Sequence, residues 1–334
     1  MEITTPLDIR YIAFAPLQGY TDAVYRRAHR ECVGGVDEYY TPFVRIEKGE
    51  VRKKDLRDID PAANTGVPTV PQVIAKDGEE FARLCDVVQG LGWRRIDLNM
   101  GCPFPMQVKA GRGSGLLQHP ERVEEIAREM RQRPEVQFSV KMRLGQESAE
   151  ESIELLPIIN EMPLVHVTLH PRMGRQQYKG TVDKDAFWRF VHGCRHPMVY
   201  NGDISLDTPL GQMQASDGFP DLWEQRTDEV DGSKIKGVMI GRGLLARPWM
   251  THTPPPFGSP SPKLGEELVK QMHERIYRHA VENLCGDSQI LSHLHAFWEY
   301  LEIDRKHKKA IMKSSTLSRY NEAVAVTCRL GVCR

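Results

Sequence analysis

The stretch RIDLNMGCPFPMQVKAGRGSGLL (residues 95–117) opens as a short apolar run, RIDLNMG, and turns abruptly into a loop shaped by glycine and proline. Runs of the same kind recur along the chain. Before it stand YIAFAP (11–16), DEYYTPFV (37–44) and PTVPQVI (68–74); after it come QFSVKMR (137–143), LVHVTLH (164–170), PMVYNGD (197–203) and GVMIGRG (237–243). These are β-rich segments bounded by turn residues. Between them, Glu79 to Leu91, Pro120 to Met130 and Ser152 to Met162 carry apolar residues at helical spacing. Eight alternating strand and helix units in roughly 250 residues predict a TIM (β/α)8 barrel. A doubly wound open sheet also alternates, but its glycine-rich fingerprint follows the first strand, where this chain has APLQGYTD with one glycine.

The polar residues Gln72, Asn99, Lys141, His170, Asn201, Asp203 and Arg242 fall at the C-terminal ends of the runs. Barrel active sites are built at that face. After Met250 the composition changes to THTPPPFGSPSPK, which cannot continue a helix or a central strand. From Leu264 onward apolar residues return at helical spacing (Leu268, Met272, Ile276, then Leu291, Leu294, Phe297, Leu301). The expected organisation is a barrel over 1–250, a proline-rich linker over 251–263 and a small helical domain over 264–334.

Composition excludes several classes. Hydrophobic residues make up 40% of the chain and charged residues 27%, the balance of an ordinary globular protein. No apolar run reaches the roughly 20 residues that span a bilayer, and MEITTPLDIR lacks the basic-then-apolar order of a signal peptide. A cytoplasmic monomer without membrane association is expected. Seven scattered cysteines (32, 85, 102, 194, 285, 328 and 333) contain no CxxC pair, so neither a disulfide framework nor a bound metal is expected. Basic and acidic residues balance at 45 each, but residues 254–334 hold 12 basic and 9 acidic side chains. The tail is therefore net basic and the barrel net acidic, and DRKHKKAIMK (304–313) concentrates Arg305, Lys306, Lys308, Lys309 and Lys313. Such a run is commonly a solvated helix face; it is also the best candidate here for gripping phosphates.

Cys102 sits where the fourth run meets its loop. A lone cysteine is more often a small buried hydrophobe, but Asn99, Gly101, Pro103, Lys109 and Gly113 surround it with a polar, glycine-rich loop that a core cysteine does not need. Residues 99–117, together with APLQGYTD (15–22), VKMRLG (140–145), LHPRMGRQQYKG (169–180), NGDI (201–204) and MIGRGLLARPW (239–249), resemble the tRNA-dihydrouridine synthase family. The resemblance is ordered and spans nearly the whole barrel. It implies an FMN-binding barrel with a helical C-terminal domain, reduction of a tRNA uridine to 5,6-dihydrouridine, NADPH or NADH as electron source, and a cysteine, here Cys102, that protonates C5.

The resemblance also implies roles for other residues. Pro16, Leu17 and Gln18 match the segment lying along the flavin, with Leu17 where the family often has methionine; Gln72 and His170 match its flavin-contacting glutamine and histidine. Asn201, Gly202 and Asp203 end run seven, and Gly241 and Arg242 end run eight, where barrels commonly hold phosphate; glycines let backbone N–H groups approach an anion, and LLARPW suits the short helix beyond. Lys141 is read as a structural ion pair or as the cation facing the reduced flavin, since a buried lysine is costly alone. Asn99 and Lys109 are assigned to the substrate, and Arg172 and Tyr178 match RNA-facing positions. The uracil must leave its stack to be reduced. A thiol that donates a proton must be protonated at rest, which predicts a Cys102 pKa that is not strongly depressed. The alternative reading is a flavin barrel acting on a free pyrimidine or another small molecule, which would leave the basic tail without a purpose.

Overall fold

The computed structural model describes residues 11–204, 234–252 and 262–329. Among them, the chain forms β1 (Ile12–Phe14), β2 (Glu38–Tyr40), an antiparallel ribbon of β3 (Ile46–Glu47) and β4 (Glu50–Val51), then β5 (Thr69–Val70), β6 (Gln72–Val73), β7 (Arg95–Met100), β8 (Gln137–Gly145), β9 (Leu164–Met173), β10 (Met198–Asn201) and β11 (Ile235–Ile240). Apart from the ribbon these make one parallel sheet in the order β5-β2-β1-β11-β10-β9-β8-β7-β6. Its two ends, β5 and β6, are halves of the single run PTVPQVI. Pro71 has no N–H to give the ladder, while its carbonyl accepts from the Asp97 N–H at 2.9 Å. The sheet thus closes through the covalent chain itself, and the eight runs make the expected TIM barrel.

Helices cover the outside. Gly78–Gly90 and Pro120–Arg131 form as the spacing predicts, the first capped by the Asp77 side chain accepting from the Glu80 N–H at 2.9 Å. The expected helix over 152–162 is two pieces, Glu150–Glu154 and Leu156–Glu161. Pro157 stands in the first turn of the second piece, where its missing N–H is tolerated, but it cannot carry a continuous helix.

Side chains alternate along each strand, and the register sorts the inward ones into levels. Asp97 lies beside Ser139, then Asn99 beside Lys141 and Lys141 beside Thr168, and Arg143 beside His170. At the opposite, N-terminal end the barrel is plugged. Arg95 forks onto Glu38 at 2.6 and 3.0 Å, and the Tyr11 and Tyr40 hydroxyls reach the same carboxylate at 2.6 and 3.1 Å. Among the described residues these side chains fill the N-terminal end of the barrel, opposite the strand C-termini.

Among the described residues four helices follow: Pro262–Asn283, Asp287–Tyr300, Arg305–Met312 and Leu317–Arg329. They pack around buried Trp298 and Tyr320, whose hydroxyl accepts from Trp298 Nε1 and meets His273 Nε2, both at 2.7 Å. The bundle joins the barrel through Arg275 to Glu31 at 2.9 Å, Arg247 to Glu302 at 2.6 Å, and an edge contact between Tyr20 and Tyr300. Most of the expected linker, 253–261, lies outside the described residues. Thr251 and His252 are tied back to the barrel at the Gly34 and Val33 carbonyls, and Pro262 and Lys263 open the first tail helix. No helix among the described residues is long and apolar enough to cross a membrane.

Candidate active site

A cavity of about 520 Å³ lies at the C-terminal mouth of the barrel. Ala15, Pro16, Leu17 and Gln18 line it after β1, Gly101, Cys102 and Pro103 after β7, Lys141 and Arg143 from β8, and His170 from β9. Asn201, Gly202, Asp203, Gly241, Arg242 and Gly243 complete the wall from the last two units, with Tyr178 and Tyr300 also facing it. Period-two alternation brings Lys141 and Arg143 to the cavity together, because they share one face of β8.

The cysteine loop is held from below. Asn99 Oδ1 accepts from the Gly101 and Cys102 N–H groups at 3.0 and 2.8 Å. From the other side, the Ser114 N–H donates to the Cys102 carbonyl at 3.0 Å. Gly113 makes that approach possible: its φ is +60°, and a Cβ there would fall 2.5 Å from the Cys102 oxygen. Burial pushes the Cys102 thiol up, against the smaller opposing pull of the Phe104 N–H, Arg143 and Lys141. The resting side chain is a neutral thiol.

Lys141, Arg143 and His170 line the cavity with it. Burial, then the Arg143 charge, lowers Lys141 to about 8, partly offset by Asp97. Arg143 itself is lowered to about 10, chiefly by burial; its Nε and Nη1 donate to the Gly101 and Met173 carbonyls, both at 3.0 Å. His170 is held well below its ordinary value by burial and by the nearby Arg143, Lys141, Arg172 and Arg242 charges. Its Nε2 lies 3.1 Å from Arg172 Nη1; a guanidinium only donates, so Nε2 accepts and the proton sits on Nδ1.

The wall after β10 is an anchored turn. Arg172, 2% exposed, forks onto Asp203 at 2.5 and 2.8 Å and donates to the Gly180 carbonyl at 2.6 Å. This holds Asp203 at φ +46°, a cost the ion pair offsets. Asn201 Nδ2 donates to the Met239 carbonyl at 2.7 Å, tying β10 to β11. A Cβ on Gly243 would fall 2.3 Å from the Ile204 oxygen, so only glycine lets the two turns approach. The short helix Arg242–Ala246 starts there.

Of the residues singled out from sequence, Pro16, Leu17, Gln18, Cys102, Lys141, His170, Tyr178, Asn201, Gly202, Asp203, Gly241 and Arg242 meet at the cavity. Gln72 and Asn99 lie beneath it, bonded to each other at 2.8 Å. Arg172 faces inward rather than toward solvent, and Lys109 is exposed at the end of the short helix Pro105–Lys109. Sequence reasoning passed over Arg143, Asp97 and Tyr300. The first two were within reach, two residues along the strand from Lys141 and Asn99. Tyr178 stacks under Arg242 and Arg143, whose guanidinium carbons lie 4.3 and 5.5 Å from its ring centre. Among the described residues no group of three or more His, Cys, Asp or Glu side chains is placed to hold a metal ion.

A model of the dihydrouridine synthase family matches residues 13–329. The tRNA-dihydrouridine(16) synthase of Pseudomonas putida is 30% identical over 245 residues, covering 71% of each chain. That of Neisseria meningitidis serogroup A is 29% identical over 260 residues, covering 74% of this chain and 72% of its own. The tRNA-dihydrouridine synthase B of Pasteurella multocida is 25% identical over 240 residues, covering 72% and 67%.

Proposed function

Because the chain belongs to the dihydrouridine synthase family, we propose that it reduces the C5=C6 bond of a tRNA uridine, with FMN as cofactor and NADPH or NADH as reductant. The observation that carries this reading is the meeting of Cys102, Lys141 and the glycine-lined turns after β10 and β11 in one cavity. The residues present fit FMN. Gly202 and Gly243 let the two turns pack closely, since a Cβ would press on His170 and Val182 at the first and strike the Ile204 oxygen at the second, and Arg242 lines the same wall beside the backbone of both turns. Lys141 lines the cavity and would set a cation against the carbonyl edge of the ring, and Pro16 to Gln18 would offer it an apolar shelf with an amide. When bound and reduced, FMN supplies the hydride that C6 of the uracil accepts.

The chain's own residues do the rest. Cys102 Sγ donates its proton to C5 on the face the loop presents, and its raised pKa keeps that proton available in the resting enzyme. Arg143, lowered but still charged at neutral pH, counters negative charge on the base during the transfer. The exposed side chains Arg305, Lys306, Lys309 and Lys313 on and after the helix Arg305–Met312 present a basic face for tRNA phosphates. Several relatives are position-16 enzymes by name, and position 16 is the uridine we assign.

The thiol assignment has a direct check. The alkylation rate of Cys102, followed by peptide mass spectrometry against pH, should inflect above the ordinary thiol range; an inflection below it would mean a resting thiolate and remove the acid. The substrate is tested by mapping dihydrouridine in tRNA from a strain lacking the gene, complemented with the wild-type or the Cys102→Ala protein. Loss at position 16, restored only by the wild type, is expected. No loss at any position overturns the function; loss elsewhere overturns the position.

A further inference from the structure

Beneath the cysteine loop runs a chain of side chains that lies outside the cavity. Asp97 Oδ2 accepts from Gln72 Nε2 at 2.7 Å, Gln72 Oε1 accepts from Asn99 Nδ2 at 2.8 Å, and Asn99 Oδ1 accepts from the Gly101 and Cys102 N–H groups. At its far end the Ser139 hydroxyl donates to Asp97 Oδ1 at 2.6 Å. Asp97, Gln72 and Ser139 are fully buried and Asn99 is 7% exposed, so solvent cannot substitute for a missing partner.

An amide can face its neighbours either way round, so something must choose. A backbone N–H only donates, which obliges Asn99 to turn its oxygen to the loop and its nitrogen to Gln72. Gln72 must then give its oxygen to Asn99 and its nitrogen to residue 97. The chain is satisfied only if residue 97 accepts there, and an aspartate does so without choice. The donors at one end and the acceptor at the other are three hydrogen bonds apart, and both amides between them obey the two ends.

We propose that Asp97 is a positioning residue for Cys102, acting through the amides of Gln72 and Asn99 to aim Asn99 Oδ1 at the loop that carries the thiol. This rests on the reading of Cys102 as the acid, but its polarity logic stands on the hydrogen bonds alone. Asp97 is pushed up to about 7, mainly by burial. A proton taken up there can sit on Oδ1 toward the Ser139 hydroxyl, which can accept it, leaving Oδ2 free to accept from Gln72.

The test moves the acceptor from one end of the chain to the other. Asn99→Asp keeps the bonds to the Gly101 and Cys102 N–H groups but sets a carboxylate at each end of Gln72, whose amide can satisfy only one. Adding Asp97→Asn repairs this: the new amide turns its nitrogen to Gln72 Oε1 and its oxygen to the Ser139 hydroxyl. Thermal unfolding of the flavin-free proteins is measured at pH 8.5, to disfavour a protonated carboxyl at position 99, together with the Cys102 alkylation rate. Asn99→Asp should lower Tm by about 4–8 °C and Asp97→Asn alone by under about 2 °C, since that amide can still accept from Gln72. The double variant should regain at least half of the Asn99→Asp loss, and its alkylation rate should move at least about twofold from the Asn99→Asp rate toward the wild-type rate. Both of the compared proteins carry the carboxyl at position 99, so its effect on the thiol cancels between them. A double variant that regains less than half, or that melts as the sum of the two losses, overturns the proposal. Neither readout needs dihydrouridine to form: a protein that modifies no tRNA would sink the proposed function and leave this test standing.

Discussion

In a Cys102→Ala variant, turnover of tRNA uridine is expected to fall by about 10²- to 10⁴-fold, the usual contribution of a positioned proton donor, while KM for tRNA stays within about twofold. The split follows from geometry. Cys102 is one small side chain on the cavity wall, and the proposed contacts to tRNA phosphates lie on the separate helix Arg305–Met312. Removing Sγ deletes the nearest proton without disturbing the Asn99 bonds, because those run to the backbone N–H groups of residues 101 and 102. The loop should therefore keep its shape. Cys102→Ser should recover little, since a hydroxyl at the same position is a far weaker acid than a thiol. The measurement is dihydrouridine formed per enzyme under saturating tRNA and reductant; an alanine variant within threefold of the wild-type kcat would show that protonation does not depend on this residue.

How much of this was readable beforehand depends on the range of the interaction. The barrel was legible because strand burial is a local, periodic signal, and each of the eight runs became a strand, with PTVPQVI divided only where Pro71 interrupts the ladder. The convergence of Lys141, His170 and Asn201 was legible for the same reason: residues at the C-terminal end of a parallel strand must meet their counterparts around the barrel. Pairings across distant segments were not. Arg172 matched a pattern that faces RNA, yet it turns inward because Asp203, 31 positions away, is presented to it by a backbone at positive φ. Asn99 was read as touching the base; its amide is instead occupied by Gln72, 27 positions back, and by its own loop. Tyr300 reaches the cavity only through the packing of the tail on the barrel, marked by its edge contact with Tyr20, and no local pattern encodes how two units dock.

Lys141→Met should make the flavin-free protein more stable and less able to hold flavin. The native amine is lowered to about 8 from an ordinary 10.5 because burial disfavours its charge, with Arg143 adding repulsion. Above 10.5 both folded and unfolded chains carry a neutral amine and the residue imposes no charge penalty. Between 10.5 and 8 the unfolded chain binds the proton and the folded one does not, so falling pH favours unfolding. Below 8 both are protonated and the penalty is complete, on the order of 3 kcal/mol from the size of the shift. Methionine has a similar length, packs adaptably and carries no charge, so the variant should gain about 2–3 kcal/mol at neutral pH, a gain that shrinks between pH 8 and 10.5 and disappears above. Equilibrium denaturation of both proteins across that range measures it. Flavin affinity should move the other way, by about 10- to 100-fold, the range of a lost hydrogen bond to a charged group. A lysine on the cavity wall that weakens the empty protein and is compensated only when an anionic partner arrives is the signature of a binding residue. A variant that is destabilised at neutral pH would instead make Lys141 a structural ion-pair partner of Asp97.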